Sequence, residues 1–266
     1  MINGTLYKRE MKSSWKMLLI FVAILTMYVT MIISMYDPEM SKMFDEFTKF
    51  MPELMAAMGM TGGGATLLGF MASYLYGFIL VMFPMVFSIL TGNRLMARYV
   101  DRGSMVSLLA APVKRRTVAF TQMAVLASGI IVLVLYVTIL QILFAQAYFP
   151  GELDIGKILA LNAALLCLQL FIGSICFFFS CLFSDTKNSV GLGAGIPALM
   201  FILQMLGNAG ESAEKLKYVT FFTLFNADGI IAGESGATAG IIVLLGGAVL
   251  LYAAAITVFS QKDLHI

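Results

Sequence analysis

Three cysteines, one histidine and a run of three glycines are the first places to look for chemistry in these 266 residues. Cys167, Cys176 and Cys181 share one apolar stretch, and an odd count gives no disulfide framework. They read as small side chains facing core or lipid. His265 is next to last, so no histidine dyad or multi-histidine metal site can form inside the chain. Gly62-Gly63-Gly64 lacks the Lys-Ser or Lys-Thr of a phosphate loop and reads as a flexible turn. The pattern that remains is Arg94 to Arg116. Gly103 breaks a first short helix and Ser104 is a suitable N-cap for a second. That second helix places Met105, Leu108 and Leu109 on one face, and Pro112 ends it. Arg94, Arg98, Asp101, Arg102, Lys114, Arg115 and Arg116 surround it. A positively charged loop explains the charges, but not a capped helix with an apolar face between them. Such a face needs membrane or a partner protein to cover it.

The elements that position this segment follow from composition. The chain is 60% hydrophobic and 12% charged, against about 45–50% and about 25% in soluble domains. This excludes a soluble enzyme, a disordered protein and a nucleic-acid binder, and a net charge of +2 is too balanced for phosphate-backbone binding. Six stretches lack Asp, Glu, Lys, Arg and His and are long enough to cross a bilayer as helices: Met17–Met35, Leu67–Leu90, Val118–Phe149, Ile158–Phe183, Ser189–Gly207 and Ala239–Phe259. Tyr36-Asp37-Pro38 after the first is a poor signal-peptide cleavage site, so that stretch reads as a span. Twelve of the 17 Lys and Arg fall on the side holding both termini and the 92–117 connection, whereas 11 of the 15 acids fall on the other. By the positive-inside rule the first side is cytoplasmic. The expected architecture is therefore all-α: one six-helix transmembrane domain over residues 1–266 with both termini in the cytoplasm.

Two long connections lie outside. In 36–66, Met40, Met43, Phe44, Phe47, Met51, Leu54, Met55 and Met58 follow helical spacing, which predicts an amphipathic helix at the outer interface. Its Met-rich face suits lipid contact, or an adaptable surface for an apolar substrate. In 208–238, Thr220 to Phe225 forms an apolar run between charges. It reads as a half-buried re-entrant segment or as a surface loop.

Asp101-Arg102-Gly103-Ser104-Met105-Val106-Ser107-Leu108-Leu109-Ala110-Ala111-Pro112-Val113-Lys114-Arg115 resembles the cytoplasmic motif of the ABC-2 type transporter permeases: a charged pair, Gly-Ser, paired leucines, then Pro and a basic residue. Tyr7-Lys8-Arg9-Glu10 is similar to that family's leading helix, and Phe259-Ser260-Gln261-Lys262-Asp263-Leu264 to its closing pattern. The resemblance covers the whole chain. It departs in one place: members often carry a glutamate about one turn before the glycine, where this chain has Arg98-Tyr99. It implies the permease subunit of an ATP-driven exporter in the cell membrane, paired with a second permease, identical or related, and with cytoplasmic ATPase subunits. No Gly-x-x-x-x-Gly-Lys-Ser/Thr occurs in the chain, so it holds no cofactor itself and is not an enzyme, and ATP and Mg belong to the partner. In the family the helix after the glycine couples to the ATPase. Carried over, Ser104–Ala111 presses on the motor, with Met105, Leu108 and Leu109 as anchors and Arg102, Lys114 and Arg115 as rim.

The spans contain no ionisable Asp, Glu, Lys, Arg or His, which argues against an ion-driven carrier. They also lack a Ser/His, Asp/Asp or metal constellation, which argues against a membrane-embedded enzyme. Gln141, Asn162, Gln169 and Gln204 read as helix–helix hydrogen-bonding groups. Twenty Met and 21 Phe are compatible with an apolar or amphipathic substrate such as a peptide, lipid or drug. The competing reading is a non-transporting scaffold or sensor built on the long outer segments.

Overall fold

The computed structural model describes residues 2–37, 50–60, 66–101 and 113–262. Within them every regular element is helical, and six helices are long and apolar enough to cross a membrane. They are α1 (Gly4–Ser34), α3 (Leu67–Leu95), α5 (Arg115–Tyr148), α6 (Ile155–Leu182), α7 (Thr186–Ala209) and α9 (Ser235–Gln261). Shorter helices are α2 (Pro52–Ala57), α4 (Ala97–Asp101) and α8 (Ala227–Ala232). Residues Met40–Phe47 of the expected interfacial helix, the triple glycine, Arg102–Pro112 and Asp263–His265 lie outside the described residues.

Each long helix overruns the charge-free stretch that marks it. The absence of charge identifies the part suited to hydrocarbon, while the helix continues into a polar zone at one end in α1, α3, α5 and α6 and at both ends in α7 and α9. The largest extension is α1, which starts at Asn3, whose side chain accepts the Leu6 N–H at 3.0 Å. Leu6, Glu10, Ser14, Phe21, Leu25, Val29 and Ile33 form its buried stripe. Lys8, Arg9, Lys12 and Lys16 lie exposed on its other faces, so the charges do not interrupt the helix. Asp154 and Asp185 cap α6 and α7 in the same way as Asn3, on the N–H groups of Lys157 and Asn188.

Helix α6 is central and packs against α3, α5, α7 and α9. In their most apolar stretches α3 and α6 are 61% buried, whereas α1, α7 and α9 are 22% buried. The first two therefore form the core, and the last three leave wide apolar faces open. Phe21 meets Phe87 edge-on at 5.6 Å, joining α1 to α3.

The core contains an irregularity. Ala72–Ile79 of α3 winds as a π-helix, and Pro84 follows one turn later. Proline has no N–H, so the Leu80 carbonyl loses its helical donor. In a membrane an orphaned carbonyl has no water to turn to. Gln169 of α6, fully buried, supplies the donor: its Nε2 reaches Leu80 O at 3.2 Å and Val81 O at 2.9 Å. Nearer the far end from the termini, Tyr76 Oη and Asn162 Nδ2 both donate to Gln141 Oε1, at 3.0 and 2.8 Å. The helix–helix reading of these amides holds in the packing.

The 208–238 connection folds into the bundle rather than across it. Two 3₁₀ turns, Glu211–Val219 and Phe221–Leu224, lead into α8. Phe221 meets Phe171 at 5.2 Å, about 24 Å along α6 from its start at 1.5 Å per residue. Leu224 lies so close to α9 that a Cβ on Gly240 would collide with its carbonyl oxygen. The connection after α1 is seated similarly. Gly59 adopts φ +73°, and a Cβ there would stand 2.8 Å from Gly77 Cα on α3.

The packing of Gln169 yields a double-mutant prediction. Gln169→Leu destabilises the folded bundle by about 1–2 kcal/mol, read by equilibrium unfolding in mixed micelles. In a Pro84→Ala background, which restores the missing N–H, the same substitution costs less than half as much. Additive effects of the two changes would refute the assignment.

Candidate functional site

The motif segment leaves and re-enters the bundle at points that the structure fixes. Upstream, α3 ends and the chain turns at Met96 into α4. Ser180 of α6, buried, spans this break: its hydroxyl donates to Gly92 O at 3.1 Å and accepts the Ala97 N–H at 2.9 Å. The N–H left over at the start of α4 is thereby satisfied.

A second set of bonds ties the same corner to α1. Arg94 Nη1 donates to Ser13 O at 2.9 Å, and its Nη2 donates to the Ser14 hydroxyl. Tyr99 Oη donates to Glu10 Oε1 at 2.6 Å. Burial, reinforced by the hydrogen bond and the nearby Glu10 charge, pushes the Tyr99 phenol up to about 12. It therefore stays protonated and remains a donor throughout the physiological range. Glu10 is 2% exposed. The carboxyl group bonded to Tyr99 at this corner thus comes from the leading helix.

Downstream, Lys114 and Arg115 start α5 and are solvent-exposed. Arg115 Nη1 donates to Lys262 O at 2.9 Å. Lys262 in turn caps α6, its Nζ donating to Leu182 O at 2.7 Å and Cys181 O at 3.3 Å. An ammonium group at a helix C-terminus satisfies orphaned carbonyls and the dipole together. Desolvation lowers the Lys262 pKa from its ordinary value. Two more bonds hold α1 to α5: Asn3 N–H to Thr121 Oγ1 at 3.0 Å and Tyr7 Oη to Ser128 Oγ at 2.8 Å.

Of the residues expected to form the contact surface, Asp101 ends α4, and Lys114 and Arg115 begin α5. Arg102, Gly103, Ser104, Met105, Leu108, Leu109 and Pro112 lie outside the described residues. The structure brings the two flanks of the segment onto one end of the bundle, together with α1, the C-terminal end of α6 and the end of α9. Glu10, Arg94, Tyr99, Ser180 and Lys262 do the fastening. The sequence motif did not single out their mutual contacts, because those contacts join positions about 80 to 150 residues apart. Glu10 carried one readable signal: it falls on the four-residue spacing of Leu6 and Ser14, on the buried side of α1.

The arrangement is a corner at which the two flanks of the motif segment are held by hydrogen bonds to α1, α6 and the C-terminal end of α9.

A family model described as "ABC-2 family transporter protein" matches residues 5–264. No curated protein and no solved structure matches the chain.

Tyr99→Phe removes one oxygen and leaves the buried Glu10 carboxyl without its donor. Hydrogen exchange over Ala97–Asp101 then rises about tenfold, as loss of one charge-assisted bond requires, while exchange in the middle of α6 is unchanged. Unaltered exchange over 97–101 would show that the bond does not hold this corner.

Proposed function

The chain belongs to the ABC-2 family of transporter proteins, and from that premise we propose that it is the permease subunit of an ATP-driven exporter whose 101–115 segment docks on the motor. Membership makes it a multi-pass membrane subunit for transport that works with an ABC ATPase and is not the ATPase itself. Both termini and the 92–117 connection face the cytoplasm of a cell membrane in this proposal. A second permease, a copy or a relative, completes the pathway, and the ATPase subunits bind ATP and Mg. The moving cargo is apolar or amphipathic, as a pathway without intramembrane charge favours.

One observation carries the coupling role. The segment that bears the apolar and basic residues is fastened on both flanks, through Ser180, Tyr99 and Arg94 upstream and through Arg115 against Lys262 downstream. A loop serving only charge topology needs no such fastening. A segment that receives force does, because slack at either end would absorb the displacement before it reached the helices. Met105, Leu108 and Leu109 would supply the apolar anchors in a groove of the ATPase, and Arg102, Lys114 and Arg115 the charged rim. Buried anchors govern affinity, whereas rim charges govern orientation and association rate.

Leu108→Asp and Leu109→Asp each abolish co-purification of the ATPase from mild-detergent extracts, while the variant still inserts and folds. Inverted vesicles bearing the variant lose ATP-dependent uptake. If both variants keep a stoichiometric ATPase and full uptake, the segment does not couple. Arg115→Ala weakens the association about fivefold to tenfold, and more so at low salt, where the rim charge is least screened.

A further inference from the structure

At the end of the bundle away from the termini, a cavity of about 190 Å³ lies between the π-helical part of α3, the C-terminal half of α7 and the connection that leads to α8. It is larger than the ~150 Å³ hole that holds a benzene molecule. Phe201, Phe222 and Phe225 contribute aromatic faces, Gln204 and Asn208 contribute amides, and Asp228 contributes a carboxylate. No Lys, Arg or His is among the described residues lining it.

The walls are fixed rather than collapsed loop. Phe201 and Phe222 meet edge-on at 5.4 Å, and Tyr76 stacks on Phe225 at 6.5 Å. Gln204 is held by the hydroxyls of Thr220 and Thr223, which donate to its Oε1. The Gly59–Gly77 approach closes one side, since both glycines line the cavity. Asp228 is exposed and makes no hydrogen bond or ion pair among the described residues.

We propose that this cavity binds the ammonium head group of an amphipathic molecule. Aromatic faces attract a cation through their ring quadrupoles, most strongly where water is excluded. An unpaired carboxylate on the same wall adds direct attraction, and an anion would meet that carboxylate with no compensating cation. A purely apolar guest would desolvate the amide nitrogen of Asn208, whose oxygen alone is met, by Gln204 Nε2 at 3.4 Å, among the described residues. The open faces of the neighbouring α7 and α9 leave room for an alkyl tail to remain in lipid while the head enters. That the site serves a transported molecule rests on the transporter reading; binding itself does not.

The test uses the full chain in phosphatidylglycerol nanodiscs, with empty discs subtracted. Nonyltrimethylammonium is titrated by calorimetry against the uncharged nonyl glucoside. The ammonium probe binds the wild type saturably. Asp228→Asn weakens it about tenfold, Phe225→Leu weakens it severalfold, and neither shifts the thermal midpoint by more than a degree or two. Equal binding of nonyl glucoside would make this a sugar-head site and overturn the proposal, as would an unchanged Kd in Asp228→Asn. Co-purification of the ATPase is scored on the same preparations. Binding without an ATPase sinks the transporter reading alone, and an ATPase without binding sinks only the present inference.

Discussion

Gln169 gives α3 the hydrogen bonds that α3 cannot make for itself. In a hydrocarbon environment an unmet carbonyl has no solvent to fall back on, and Pro84 guarantees one at Leu80. The irregular stretch from Ala72 to Pro84 can exist only where another helix stands beside it with a donor. That requirement places α6 against α3 and fixes the depth at which they meet. The buried hydrogen bonds on either side, Tyr76 of α3 with Gln141 of α5 and Ser180 of α6 with Gly92 of α3, then follow at one level after another along the bundle. The central place of α6 is thus a consequence of hydrogen-bond satisfaction as much as of apolar packing.

The two ends of the bundle use different materials. At the end with the termini, the fastenings are polar and charged: Arg94, Tyr99, Glu10, Arg115 and Lys262. Those side chains suit a zone where water competes but partial burial keeps the bonds strong. At the other end the seating is steric and aromatic. Backbone approaches at Gly59, Gly77 and Gly240 and the rings of Phe171, Phe221 and Phe222 set the positions. Polar ties resist a pull in a defined direction, whereas ring and backbone contacts define the walls of a space. The first suits a coupling corner, the second a cavity.

How far the sequence reveals this differs from element to element. Six spans were legible because a run of about 20 uncharged, mostly apolar residues is rare outside a membrane. Their full lengths were not, since Lys8 to Lys16 look like a tail until the four-residue spacing of Leu6, Glu10 and Ser14 is followed. The first short helix of the motif connection was readable from Gly103 downstream of it, and α4 stands there. Gln169 was readable as a helix–helix group, but its tie to the break at Pro84 was not, because it joins residues 88 and 89 positions apart. The Thr220–Phe225 run supported two forms equally. The contact that decides its placement is Leu224 against Gly240, a backbone approach that leaves no pattern in hydropathy.

Helix α3 belongs to both sites. Its π-helical start supplies Tyr76 and Gly77 to the cavity, and its other end supplies Gly92 and Arg94 to the corner where the motif segment departs. Between them stand the end of the π-helical stretch and Pro84, and π-turns and prolines are places at which helices bend. A regular helix in that place would transmit a tilt as a rigid rod and move both ends together. At the break the backbone is not held by its own ladder alone: the Gln169 amide meets Leu80 and Val81 from the neighbouring helix. The irregular stretch of the core therefore lies on the same helix that lines the cavity at one end and reaches the corner of the motif segment at the other.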